Sequence, residues 1–243
     1  EGLEPKNTWG FFIQNDVRTL DTQNEWYYNP STKKLRIYST SQPTNVYVPA
    51  NDYCITLSGK KYVTIEKLTI IGANNVGIYA ELSTDNLIVN NCLINKCGLY
   101  GVKMLNWCDD YAITNNVVKN CNYSGIHSYG YLNTNETITN NTLDSCNMII
   151  GIGEYYAPAA IMSYASPSLI QYNIVDHSGY NGIMKAGEYG EVRNNLITNS
   201  LLTTNDGGGI YTAGSHLNMI IDGNIVSNTF GNLMSEIFAY KQD

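Results

Sequence analysis

An Asn-Asn-aliphatic motif and a Gly-Ile pair recur in fixed order along the 243 residues, and helical periodicity is missing from most of the chain. These observations predict an all-β fold, a right-handed parallel β-helix of about seven coils. Residues 1–60 are expected to form an N-terminal β capping segment and residues 61–243 the helix.

The repeat is read from doublets ending in Asn: Asn90-Asn91, Asn115-Asn116, Asn140-Asn141, Tyr172-Asn173, Asn194-Asn195 and Gly223-Asn224. The steps are 25, 25, 32, 22 and 29 residues, and a pair such as Val117-Val118 or Ile174-Val175 follows each doublet. Four residues after each anchor stand Asn95, Asn120, Ser145, His177, Asn199 and Asn228, followed by Lys96, Cys121, Cys146, Ser178, Ser200 and Thr229. In a parallel stack such columns lie ~4.8 Å apart, so a buried Asn can satisfy its amide on the Asn above and below. The second motif is Gly77-Ile78, Gly101-Val102, Gly125-Ile126, Ala160-Ile161, Gly182-Ile183 and Gly209-Ile210. The longest inserts fall before its fourth and sixth copies, around 150–159 and 201–208, and variable loops on a fixed scaffold are where binding and catalysis concentrate.

The Asn and Gly-Ile columns resemble the PbH1-type repeats of the pectate-lyase-like β-helix superfamily over roughly residues 63–240. Ahead of them, Glu25-Trp26-Tyr27-Tyr28 resembles a segment preceding the β-helix of secreted bacterial carbohydrate-active proteins. The resemblance implies a secreted or cell-surface protein acting on a polysaccharide or oligosaccharide. The Asn29-Pro30-Ser31 turn divides two strands of the capping segment. The C-terminal Glu236–Asp243 stretch reads as a further strand with no cap, as expected of a truncated helix or of a longer chain with additional domains.

Composition narrows the partners. Charged residues make up 14% of the chain, below the usual quarter. With a net charge of −7 and no Lys/Arg run, nucleic acid is not an expected partner. No apolar stretch spans a bilayer, so no membrane partner is expected. The six cysteines lack metal-ligand spacing, and Cys121 and Cys146 read as stacked buried thiols, with an inter-coil disulfide as the alternative. No metal site and no cofactor are expected; a lyase reading would add calcium.

Strand alternation places Tyr79, Lys103, His127, Met162, Met184 and Tyr211 in one outward column and Glu81, Leu105, Tyr129, Tyr164, Ala186 and Ala213 in a second. The Gly or Ala before each Ile would leave a flat floor beside them. Aromatic faces pack on sugar C–H faces, so Tyr79, Lys103, His127, Tyr129, Tyr164 and Tyr211 are the expected substrate contacts.

Glycoside hydrolysis needs two carboxylates. Asp206, in Asn205-Asp206-Gly207-Gly208-Gly209, is the first catalytic candidate, against a turn-capping role. Glu236, one coil on, and Glu154, in the fourth-coil insert, are its candidate partners. Glu188 falls on a turn, and for all three a solvated surface role competes. Asp109-Asp110 resembles the Asp pair of polygalacturonases, but the Asn-Thr-Asp, Gly-His-Gly and Arg-Ile-Lys strings that accompany it there are missing. Three readings stay open: a glycoside hydrolase first, a non-catalytic glycan-binding or adhesion module second, and a lyase or epimerase using Lys103 or Lys185 third.

Overall fold

The computed structural model describes residues 13, 15–130, 132–149 and 158–231, and the backbone of 237–242. The chain divides into two units at Val48/Pro49. The boundary lies before residue 60 because Tyr53–Ser58 already pairs in parallel with Val76–Glu81 and belongs to the helix. In the first unit, Trp26–Asn29 and Lys34–Ile37 form an antiparallel hairpin, its turn tied by Asn29 Oδ1 accepting from the Thr32 amide at 3.0 Å.

The second unit is wound from three parallel sheets, and each coil visits them in the same order. Sheet 1 has eight strands: Tyr53–Ser58, Val76–Glu81, Tyr100–Leu105, Ser124–Tyr129, Ala159–Ser163, Asn181–Ala186, Gly207–Ala213 and Ile237–Gln242. Sheet 2 has seven, from Thr64–Glu66 to Ile220–Asp222, and sheet 3 has seven, from Thr69–Ile71 to Ile225–Thr229. The winding is therefore close to the expected seven coils.

One aliphatic row from each sheet fills the interior. Sheet 1 supplies Ile55, Ile78, Val102, Ile126, Ile161, Ile183 and Ile210 in register. Sheet 2 supplies Ile65, Val89, Ile113, Ile138, Ile170, Val192 and Ile221. Sheet 3 supplies Ile70, Ile94, Val118, Leu143, Val175, Ile197 and Val226. Mostly β-branched, these side chains have few rotamers to lose and pack well on a pleated surface.

The corner between sheets 2 and 3 explains the doublet. Its first residue takes a left-handed backbone, from Asn91 (φ 52°) through Asn115, Asn140, Tyr172 and Asn194 to Gly223, a conformation Asn tolerates better than most residues. Its second residue turns inward as the Asn ladder. Asn141 Oδ1 accepts from the backbone and side-chain amides of Asn116, both at 3.0 Å. Asn141 Nδ2 donates to Ile113 O at 2.8 Å and to Asn173 Oδ1 at 3.0 Å. The pattern repeats through Asn173, Asn195 and Asn224.

Two register details differ from the sequence reading. Asn90 pairs with Thr114, so Asn91 matches Asn115 and Cys92 takes the inward position, its amide donating to Asn116 Oδ1 at 2.9 Å. Lys96 and Cys97 therefore match Asn120 and Cys121. The Gly column, expected as a groove floor, faces the interior instead. A Cβ on Gly101 would stand 2.5 Å from Gly125 O and 2.6 Å from Val118 Cγ1, so the column exists because sheet 1 enters its coil too close to sheet 3 for a side chain.

All six cysteines are free thiols; five are buried and Cys54 is exposed. Cys54 should be the one thiol that reacts with Ellman's reagent in the native protein, and all six should react in denaturant. Asn141→Ala should cost about 2–4 kcal/mol, read from urea unfolding, because it strands several buried donors and acceptors at once. Asn224→Ala, in the half-buried last rung, should cost less.

Candidate functional site

The two outward columns are real rows. Tyr79, Lys103, His127, Met162, Met184 and Tyr211 stand opposite one another on successive sheet 1 strands. Glu81, Leu105 and Tyr129 form the second row, and Ala186 and Ala213 continue it in register. The rows are more enclosed than a flat face would be. Tyr79, Lys103, Tyr129 and Tyr211 are half-buried, whereas Met162 and Met184 are buried.

His127, expected as a substrate contact on an open face, is 3% exposed. Its ring lies 4.7 Å from Tyr100, 5.8 Å from Tyr123 and 5.8 Å from Tyr129, stacked on the last. Burial, with Lys103 adding charge repulsion, pushes its pKa down to about 3, so at neutral pH it is an uncharged aromatic strut behind Tyr129. Lys103 Nζ sits 4.1 Å from the centre of the Tyr100 ring. Tyr79 stacks on Tyr53 at 5.1 Å and donates to Glu81 Oε2 at 2.7 Å.

At the far end of the second row the side chains shrink. Tyr129 and Tyr164 meet edge to face at 5.3 Å; beyond them come Ala186 and Ala213. That step opens a cavity of about 370 Å³, lined by Tyr164, Ser166, Ala186, Gly187, Glu188, Ala213, Gly214 and Ser215. Gly187 (φ 82°) and Gly214 (φ 80°) supply left-handed turns, and a Cβ on either would meet nothing closer than 3.7 Å, so the space above them is open. Ser215 Oγ donates to Glu188 Oε1 at 2.6 Å, and Ser166 Oγ donates to the Glu188 carbonyl at 3.0 Å. The sequence carries a trace of this site in the repeated Ala-Gly pairs 186–187 and 213–214, ahead of Glu188 and Ser215.

Asp206 lies at the opposite end of its strand. It is exposed and left-handed (φ 62°), and its backbone carbonyl accepts from Tyr180 Oη. The seven-residue strand Gly207–Ala213 separates it from the cavity by ~20 Å at ~3.3 Å per residue. Asp206 and Glu188 are therefore not a catalytic pair. Glu154 and Glu236 lie outside the described residues.

A second polar group was not foreseen because it is inside the coil. The inward row running through Leu57, Ala80 and Met104 turns polar at Ser128, Ser163, Lys185 and Thr212. Lys185, considered above as a lyase base, is fully buried and donates to Ala165 O at 2.9 Å and to Ala186 O. Tyr111 Oη, 2.6 Å from Ser128 Oγ, donates to Glu136 Oε2 at 2.8 Å, and Ser163 Oγ donates to Glu136 Oε1. Burial raises the Glu136 pKa, opposed by those hydroxyls. Burial lowers that of Lys185 from 10.5 to about 8, opposed by Glu136.

On sheet 3, Asp144, Asp176 and His177 come together within 4.8 Å, a group able to hold a cation. His177 Nδ1 lies 3.0 Å from Asp176 and 3.4 Å from Asp144. Against the desolvation of partial burial, hydrogen bonds from Thr198 and Asn199 hold the Asp176 carboxyl below its ordinary value.

Three parallel sheets wound as one coil, with the Asn ladder at one corner, define a β-solenoid. The family described as the right-handed β-helix region matches residues 7–130 and 105–236, and the chain belongs to that family. Comparison with curated proteins gives no match. Among solved structures, the chain is similar to the enzymatically active domain of bacteriophage CBA120 tailspike protein 2, with 17% identity and a TM-score of 0.39 over 74% of this chain and 24% of that one. Full-length tailspike protein 2 from an Escherichia coli O157:H7 bacteriophage gives 16% identity and a TM-score of 0.39 over 76% and 22%. The chain thus spans about a quarter of the length of these tailspikes.

Lys185 makes stability depend on pH in a defined window. Below about pH 8 its amine is charged in both states. Between about 8 and 10.5 the unfolded chain binds a proton that the folded chain releases, so the Lys185 contribution to stability should rise with pH. The difference in Tm between the wild type and Lys185→Met should shift in favour of the wild type across that window, and parallel profiles would contradict this environment.

Proposed function

We propose that this chain is the glycan-binding scaffold of a secreted or cell-surface carbohydrate-active protein. A poly- or oligosaccharide would lie along the outer face of sheet 1. The observation that carries this reading is the aromatic row that ends in a cavity, with Tyr129 and Tyr164 giving way to Ala186 and Ala213 beside Glu188. Apolar walls with a few convergent polar groups are the usual make-up of a small-molecule site. The half-buried Tyr79, Lys103, Tyr129 and Tyr211 are the side chains that would meet the rest of the glycan.

Glycoside hydrolysis is the reaction proposed first, with Asp206 as nucleophile or base and Glu154 or Glu236 as its partner carboxylate. The distance of Asp206 from the cavity, a full strand away, favours a second reading, in which the described face binds glycan without cleaving it. A lyase or epimerase is the weaker alternative, since Lys185 is enclosed and bonded to two carbonyls.

A panel of neutral, amino and uronic-acid glycans, assayed for binding by calorimetry and for cleavage by reducing-sugar release, tests these readings. Tyr129→Ala with Tyr211→Ala should weaken binding at least about 10-fold, as the loss of stacking contacts on this scale implies. Asp206→Asn should lower turnover by about 100-fold or more if Asp206 is the base or nucleophile. Full activity in Asp206→Asn would remove the hydrolase assignment, and binding without turnover would establish the module reading.

A further inference from the structure

We infer that the Glu188 cavity is a subsite for a neutral or amino sugar presenting adjacent hydroxyls, and that it rejects uronic acids. The inference rests on the glycan-binding reading above and names the chemistry that one part of the face selects.

Several observations converge. Among the described residues, Glu188 is the one charged side chain lining the cavity. Its Oε1 is fixed by Ser215 at 2.6 Å, and Oε2 has no hydrogen-bond donor among the described residues. An ionised carboxylate only accepts, with about four lone-pair positions, so Glu188 retains capacity for O–H or N–H donors. Two adjacent sugar hydroxyls are such donors, and so is an ammonium on an amino sugar. A uronate carboxylate offers no proton and would bring like charge against Glu188.

The carboxylate is also held in place. Ser166 ties the Glu188 carbonyl at 3.0 Å, so the group is presented from a fixed turn instead of a free chain. Tyr164, 5% exposed and supported edge-on by Tyr129, closes the adjoining wall as a rigid, packed boundary. The open space above Gly187 and Gly214 leaves the floor bare.

Lys185 does not reverse this preference. Its Nζ lies 3.9 Å from where a Gly187 Cβ would stand, but it is enclosed beneath the floor, bonded to Ala165 O and Ala186 O, with Glu136 on the interior side. The amine is committed to those two carbonyls, so the charged atoms that a ligand can touch are those of Glu188.

The test uses the full chain with neutral, amino and uronic oligosaccharides of equal length, titrated by calorimetry against the wild type, Glu188→Gln and Ala213→Leu, with circular dichroism confirming the fold of each. Glu188→Gln keeps the shape and removes the charge; Ala213→Leu fills the cavity without touching the carboxylate. The expected result is wild-type preference for neutral or amino oligosaccharides over uronic ones by at least about 10-fold. Glu188→Gln should narrow that preference, and Ala213→Leu should weaken the preferred ligands about 10-fold. Tighter wild-type binding of the uronic series overturns the inference. So does glycan binding unchanged in both variants, which would leave the outer-face reading intact. Failure of the wild type to bind any glycan would overturn the outer-face reading and this inference together.

Discussion

The structure depends on the requirement that each coil set equivalent residues on top of one another. The buried Asn ladder enforces it. Each rung satisfies the backbone amide and the side-chain amide of the rung before it, and a slip of one residue would leave both unpaired in the interior. The three aliphatic rows then follow without further instruction, because strand alternation sends every second side chain inward once the corner is set. The left-handed residue before each ladder position and the missing side chain at Gly101 and Gly125 are local concessions to the same stacking: one bends the chain, the other lets sheet 1 approach sheet 3.

Regular stacking also explains where chemistry can arise. A solenoid changes its surface by changing a row, one coil at a time. The outer row runs through Tyr129 and Tyr164 and then drops to Ala186 and Ala213, and the cavity is the volume those two alanines leave. On the inner side of the same strands the row changes from Met104 to Ser128, Ser163 and Lys185, placing a buried amine close behind the cavity wall. The two changes share one stretch of sheet 1, so a substitution meant to probe the cavity from outside has to be chosen with the enclosed Lys185 and Glu136 in mind.

The site was less legible than the fold, for physical reasons that differ by residue. The outward rows were readable because alternation and repeat spacing together determine which face a strand residue takes. The burial of His127 was not, since it comes from the rings of Tyr123 and Tyr129 beside it together with that of Tyr100 from the preceding coil. Glu188 was readable as a turn carboxylate, but its place beside Tyr164 needed the neighbouring coil. Lys185 was legible in principle: it stands two residues after the inward Ile183, so alternation alone sends it inside. The chemical appeal of a lysine on an outer groove pointed the other way, and geometry decided. The one-residue error at Asn90-Asn91 has a similar origin, since three consecutive residues, Asn90, Asn91 and Cys92, offered two alignments and only the pairing of Asn90 with Thr114 separates them.

The sequence by itself determined the parallel coil, the identity of its corner residues, the aliphatic rows and the order in which outward side chains succeed one another. All of these follow from repeat spacing and strand alternation, which are properties of the linear chain. The tertiary structure alone decided which outward residues are covered, where an opening remains, and that Asp206 and Glu188 face different ends of the strands. Those outcomes depend on the size of side chains one coil away and on distance across a strand, and no single repeat contains that information.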